Sequence, residues 1–409
     1  MVIPVTTTYF HADVSKSPST VSRRILAVAL ATLLATGLAA PSAAQDVDVD
    51  AALGSLGDVA FTAATGSSGL LPVGSTANVI GSVGSADFPI VGGSVEEVGT
   101  PSRVDSDIST TEFLGIDRTD GPNGEYEYWS VQSAAMQRVV TVEVIRSRGQ
   151  GSAPVLYLLD GVGAPEYSTG WNHVAHMHER MADENVHMVN PAGAFASFYS
   201  DWQKEDPVLG NHRWETFLTE ELPPIVDERL STNGKSAIAG CSMGAQAAMH
   251  LAAQNEDLYD GVVALSGNYS TMDERGYQTV RLSVETRGGT LDNMWGPRGS
   301  EQWRYHDTIS HAEKLRGRAV YMSAGSGVIG PEDPGEYGSN RWAMVFGIAL
   351  ERGSHEATKA FEKALKAADV EHAVDYLPTG LHNWATFMKG FDAGWEHIKP
   401  ALEVPASGE

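Results

Sequence analysis

The chain has 409 residues, 42% of them hydrophobic, and a formal net charge of -24 at pH 7. That length and apolar content allow one large domain or two ordinary ones to bury a substantial core, while the acidic balance repels phosphate backbones and excludes nucleic acid as a partner. Cys241 is the single cysteine, so no intramolecular disulfide can form and an exported form must be held by its core; beside Ser242 it reads as a small packing residue.

Arg23-Arg24 precedes an apolar run from Ile25 to Ala40, and Ser42-Ala43-Ala44 offers small residues suited to cleavage before Gln45. This is the pattern of an export signal over residues 1–44, and it implies a secreted protein of the cell envelope or exterior. The apolar run is too short to be a membrane span. Residues 45–111 are rich in Gly, Ser, Ala and Val and nearly free of aromatics. Such a segment buries too little apolar surface to offset its ordering entropy, and a flexible stalk or spacer is predicted. A catalytic domain is predicted over 112–403, with 404–409 as a tail.

From Glu112 onward, strand-like and helix-like stretches alternate. Val139–Ile145 alternates as an early strand, and Pro154–Leu159 is apolar throughout, as a fully buried strand is. Val186–Val189, Lys235–Ala239, Gly261–Ser266, Ala319–Ser323 and His372–Tyr376 continue the series, with helices predicted over Ala245–Ala253 and Ser354–Ala368. This order predicts the α/β class: an α/β-hydrolase fold, a mostly parallel central sheet with helices on both faces. Its ligand site lies at the carboxyl ends of the strands.

Gly240-Cys241-Ser242-Met243-Gly244 fits the G-x-S-x-G pattern between a predicted strand and a predicted helix. A side chain at either glycine would collide with the neighbouring strand or helix, so the glycines permit a tight turn that exposes the Ser242 hydroxyl at a helix N-terminus. There the backbone N–H of Met243 can help hold an oxyanion. Partners of such a serine follow in the order acid, then histidine. His382 lies in a loop after the last predicted strand, where the base belongs; His372 opens a strand and His397 falls in a terminal amphipathic helix. For the acid, the loop after Ala319–Ser323 supplies Glu332, Asp333 and Glu336, and its closeness to a strand end favours these over Glu351, which lies further on near a helix.

Several segments together resemble the antigen 85-type mycolyltransferases, a family of serine acyltransferases. They are Tyr157-Leu158-Leu159-Asp160-Gly161, Gly170-Trp171-Asn172, Ser197 to Trp202 (SFYSDW), Trp214 to Pro223 (WETFLTEELP), Ser242-Met243, Asn293 to Pro297 (NMWGP) and His382-Asn383-Trp384. The resemblance implies an acid that follows leucine ten positions before a helical phenylalanine, which is Glu351 after Leu350 and before Phe361. It further implies Val162 N–H as the second oxyanion donor and Asp160 as a carboxylate that holds a sugar. Trp202 and Trp384 are expected to line the acyl or sugar channel.

The implied reaction carries a mycoloyl group from trehalose monomycolate, through an acyl-serine, to an acceptor alcohol: trehalose monomycolate, arabinan or a protein hydroxyl. The implied partners are that glycolipid, the acceptor and the cell-envelope surface, and no metal or organic cofactor is required. A secreted carboxylesterase using water, and a non-catalytic envelope or matrix-binding protein, are the alternatives. Two departures from the family stand out: Gly163 replaces an arginine that helps bind trehalose, and Glu205 to Leu209 occupy the region where the family has paired cysteines. His173, His176 and His178 resemble a metal cluster, but helical spacing places only His173 and His176 on one face, so a surface histidine cluster is expected.

Overall fold

The computed structural model describes residues 104–404 apart from 122, 123, 125 and 339. The expected signal segment, residues 45–103 of the expected spacer and residues 405–409 of the expected tail lie outside the described residues.

Nine strands form one sheet: β1 (Glu112–Asp120), β2 (Tyr126–Ser133), β3 (Arg138–Ile145), β4 (Ala153–Leu159), β5 (His187–Pro191), β6 (Thr232–Cys241), β7 (Gly261–Leu265), β8 (Ala319–Gly325) and β9 (Ala373–Leu377). Their order is β1-β2-β3-β5-β4-β6-β7-β8-β9. β1, β2, β3 and β5 pair antiparallel, and every pairing from β5 through β4 to β9 is parallel. The chain therefore has the α/β-hydrolase fold, as the alternating pattern implied. β1 and β2 escape a reading by apolar runs because β1 is an exposed edge strand and β2 mixes tyrosine, tryptophan and glutamate among its buried positions.

The principal helices are α1 (Leu222–Arg229), α2 (Met243–Gln254), α3 (Glu274–Glu285), α4 (Arg341–Ala367) and α5 (Trp384–Ile398). Because strand side chains alternate between faces, the central strands feed two cores. Val155, Tyr157, Leu159, Ile238 and Val262 pack with Ala245, Ala248, Leu251, Phe361 and Leu365 of α2 and α4. Leu156, Leu158, Ala237, Ala239 and Val263 pack with Trp384, Phe387, Phe391 and Trp395 of α5. Full burial on both faces explains why β4 is apolar at every position.

α4 begins at Arg341, well before the Ser354 start predicted from periodicity. Gly347 and Gly353 weaken the helical signal in its first half. At Gly347 the missing side chain has a purpose, since a Cβ there would fall 2.0 Å from the Tyr337 hydroxyl oxygen. The extension matters because it carries Glu351 inside a helix.

Candidate active site

Ser242 sits between β6 and α2 with φ 56° and ψ -117°, a conformation that costs a non-glycine residue about 1–3 kcal/mol. The flanking glycines make this turn possible. A Cβ on Gly240 would lie 2.1 Å from the Gly244 carbonyl oxygen, and one on Gly244 would lie 2.4 Å from the Leu159 carbonyl oxygen. The turn is further held by the Ser242 N–H, which donates to the Leu265 carbonyl of β7 at 2.9 Å.

His382 precedes α5 in the loop after β9, and its Nε2 lies 2.8 Å from Ser242 Oγ. Its Nδ1 lies 2.8 Å from Glu351 Oε2. A carboxylate oxygen only accepts, so Nδ1 carries the proton and Nε2 is left to accept from the serine hydroxyl. Glu351 is fully buried and His382 is 4% exposed. The other oxygen of Glu351 accepts from Ser266 Oγ at 2.7 Å and from the Gly325 N–H at 2.5 Å. Gly325 is needed there, because a Cβ would stand 2.6 Å from the Gly380 carbonyl oxygen and 3.1 Å from Glu351 Oε1.

The loop carboxylates favoured by chain proximity are engaged elsewhere. Glu332 is exposed and pairs with Lys389 at 2.9 Å. Asp333 accepts from the N–H groups of Gly330 and Leu381 and from the Asn383 side chain, so it shapes the loop that carries His382 rather than touching its ring. The Tyr337 hydroxyl donates to the His382 carbonyl, and the His382 N–H donates to the carbonyl of Gly347. His372 directs Nδ1 at the Val370 carbonyl, and the His397 ring lies beside Tyr321. Ser266, Gly325, Asp333 and Tyr337 carry no motif that marks them as partners of the site; Ser266 offers only a small polar residue after an apolar strand.

Gly161 brings the segment after β4 against the serine, with its Cβ direction 3.5 Å from Ser242 Cβ. Val162 follows, its carbonyl accepting from Ala196, and Met243 opens α2. Asp160 is 3% exposed and both its oxygens accept from the Gly170 N–H, at 2.9 and 3.1 Å. Burial pushes the Asp160 carboxyl up to about 7 against that hydrogen bond. Trp384 packs across Gly170 beside Asp160, where a Cβ on the glycine would fall 2.3 Å from the indole. Trp202 is a core side chain, 1% exposed, with its indole N–H donated to the Ser197 carbonyl.

The two longest shared segments are joined by hydrogen bonds. Asp201 of SFYSDW accepts from the backbone N–H and hydroxyl of Thr216 in WETFLT, and Trp295 donates to Ser200. Where the resemblance calls for paired cysteines, Asp206 ties the loop, accepting from Val208, Leu209, Thr290 and Asn293. The histidine segment is not one continuous helix. It breaks into Gly170–His173 and Met177–Arg180, with His176 left-handed at φ 50°, so helical spacing does not relate His173 to His176; both are exposed.

A mostly parallel nine-stranded sheet with a strained serine at a strand-to-helix turn defines an α/β-hydrolase. Residues 133–398 match the family described as putative esterase. The diacylglycerol acyltransferase/mycolyltransferase Ag85B of Mycobacterium leprae is 32% identical over 302 residues, which cover 70% of this chain and 88% of that protein. Ag85A of Mycobacterium tuberculosis (strain ATCC 25618 / H37Rv) is 29% identical over 293 residues, covering 69% and 82%. Among solved structures, Mycobacterium tuberculosis MPT51 (FbpC1) matches with a TM-score of 0.58 at 23% identity, covering 69% of this chain and all of that one. An S-formylglutathione hydrolase from Agrobacterium tumefaciens matches at 0.52 and 16%, covering 71% and 99%; these two bear on the fold alone. The chain belongs to the antigen 85-type mycolyltransferases within the esterase family, and is an enzyme of that acyltransferase and esterase kind.

Proposed function

We propose that this chain is a secreted serine acyltransferase that moves a mycoloyl group from trehalose monomycolate to an acceptor hydroxyl on trehalose monomycolate, arabinan or protein. The observation that carries the reading is the run of 2.8 Å contacts from Ser242 Oγ through the His382 ring to Glu351. His382 Nε2 takes the serine proton as Oγ attacks the ester carbonyl, and Glu351 stabilises the imidazolium that results. The N–H groups of Met243 and Val162 hold the oxyanion, each contributing about 3–4 kcal/mol. Trehalose leaves with a proton from His382, and an acceptor hydroxyl, deprotonated by the same ring, then attacks acyl-Ser242.

One feature favours a second reading, in which water is the acceptor. Gly163 stands where the resemblance calls for a trehalose-binding arginine, and a Cβ there would meet no described atom within 4 Å. Incubating the purified chain with trehalose monomycolate separates the two. Dimycolate formed with release of trehalose supports transfer; free mycolic acid alone, unaffected by added acceptors, supports hydrolysis; neither product overturns both.

A further inference from the structure

Twelve residues of α2 follow the serine turn, and its third turn carries a group that acyl transfer leaves unused. His250 is 5% exposed, and neither of its ring nitrogens has a hydrogen-bond partner among the described residues. Its Nε2 lies 3.9 Å from Glu215 Oε1. His306, 3% exposed, places Nε2 at 3.8 Å from Glu215 Oε2, and that nitrogen too has no hydrogen-bond partner among the described residues. The three ligand atoms lie within 4.8 Å of one another. Among the described residues this is the one such group of three.

The tautomer of His306 decides what this arrangement means. Its Nδ1 lies 2.8 Å from the Gln302 carbonyl, which can only accept, so Nδ1 bears the proton. In the neutral ring, Nε2 then turns a lone pair toward a carboxylate, two electron-rich groups facing each other in a buried space.

The geometry points to a divalent transition metal of the zinc class, bound by Glu215, His250 Nε2 and His306 Nε2 with a water as fourth ligand. Bonds of about 2.0–2.1 Å at tetrahedral angles set ligand separations of roughly 3.4 Å, and Glu215 approaches His250 through Oε1 at 3.9 Å and His306 through Oε2 at 3.8 Å, so the three side chains draw together around the ion as it binds. The surroundings have the form of an outer shell that fixes ligands. The Tyr305 hydroxyl donates to Glu215 Oε1 at 2.5 Å, Gln302 fixes the His306 tautomer, and Trp295 stacks on His306 at 4.3 Å between centroids. The ion would join three separate segments: the helix Trp214–Thr216, α2, and the turn after the helix Glu301–Tyr305. It would anchor the nucleophile helix about 12 Å, eight residues of helical rise, from Ser242. Its role is structural, because the reaction is complete without it.

The test uses the full chain grown in zinc-supplemented medium, desalted, and analysed for metal by mass spectrometry. About one zinc per chain is expected, falling at least tenfold in both His250→Leu and His306→Leu. A chelator under partly denaturing conditions, followed by refolding, is expected to lower the Tm of the unaltered chain, with ZnCl2 but not MgCl2 restoring it. Should the leucine variants fail to fold, the unaltered chain grown with cobalt answers alone: visible absorption of tetrahedral cobalt(II) is expected, and its absence overturns the site. Less than a tenth of an equivalent of zinc, or zinc content unchanged in both variants, also overturns it.

Discussion

Glu351 Oε2 lies 2.8 Å from His382 Nδ1, and it does so from inside a helix rather than from the loop that follows β8. Its second oxygen is taken up by Ser266 and Gly325 at the ends of β7 and β8, so the sheet holds the carboxylate while the carboxylate holds the ring. Ser242, His382 and Glu351 are thereby tied to separate parts of the same rigid scaffold.

Ser242→Ala removes the attacking oxygen and leaves the turn glycines and both cores untouched. Acyl transfer from trehalose monomycolate is expected to fall by about 10⁴-fold or more, as in triads that act as a unit. The Tm should stay near that of the unaltered chain. Near-normal turnover would remove Ser242 as the nucleophile.

Glu351→Gln keeps the shape and removes the charge behind the imidazolium, with an expected loss of about 10²-fold or more in kcat. Glu332→Gln breaks only a solvent-exposed pair with Lys389 and should leave kcat unchanged. The reverse ranking, measured in parallel steady-state assays, would return the acid to the loop.

Ser266→Ala deletes one of the two donors to Glu351 Oε1. A hydrogen bond to a buried charge contributes about 1.5–3 kcal/mol, so kcat should drop roughly tenfold or more while KM changes little. Restoration by Ser266→Thr, which keeps the hydroxyl, separates this effect from a packing change.

Gly163→Arg is expected to improve use of trehalose as acceptor more than it alters acylation of Ser242, because a guanidinium makes charge-assisted hydrogen bonds that glycine cannot. The gain should be about tenfold or more in trehalose-dependent turnover. A burst experiment resolves the two steps, and equal effects on both would dissociate this position from acceptor choice.

Asp160 titrates near 7 in the folded chain because burial opposes its charge, against an ordinary 3.8. The folded state therefore holds a proton that the unfolded chain has released, and stability is lost as pH rises from about 4 through about 7. The limiting contribution is on the order of 4 kcal/mol. Asp160→Asn should flatten that slope and gain stability relative to the unaltered chain at pH 8, read from urea midpoints at pH 5 and 8. A slope unchanged by the substitution would contradict a buried, proton-bearing Asp160.

The serine turn was legible in the chain because its requirements are local. Gly240 and Gly244 lie within two residues of Ser242, and the contacts that forbid their side chains come from the turn itself and the adjoining strand. The buried parallel strands were legible for a similar reason, since burial on both faces leaves an unbroken apolar run such as Val155 to Leu159. The place of His382, in the loop after the last strand, followed from chain order.

Which carboxylate stands beside His382 required tertiary structure. By proximity to a strand end, Glu332, Asp333 and Glu336 outranked Glu351; the resemblance to a family reversed that order, but the physical reason is that α4 carries Glu351 to Ser266 and Gly325 at the ends of β7 and β8. Gly347 and Gly353 interrupt its periodicity, so the helix that carries Glu351 was half hidden. Ser266 and the Glu215, His250 and His306 group were invisible for a deeper reason. Each joins residues distant in the chain, and one polar residue on an otherwise apolar strand or helix has no local signature until packing shows what it faces.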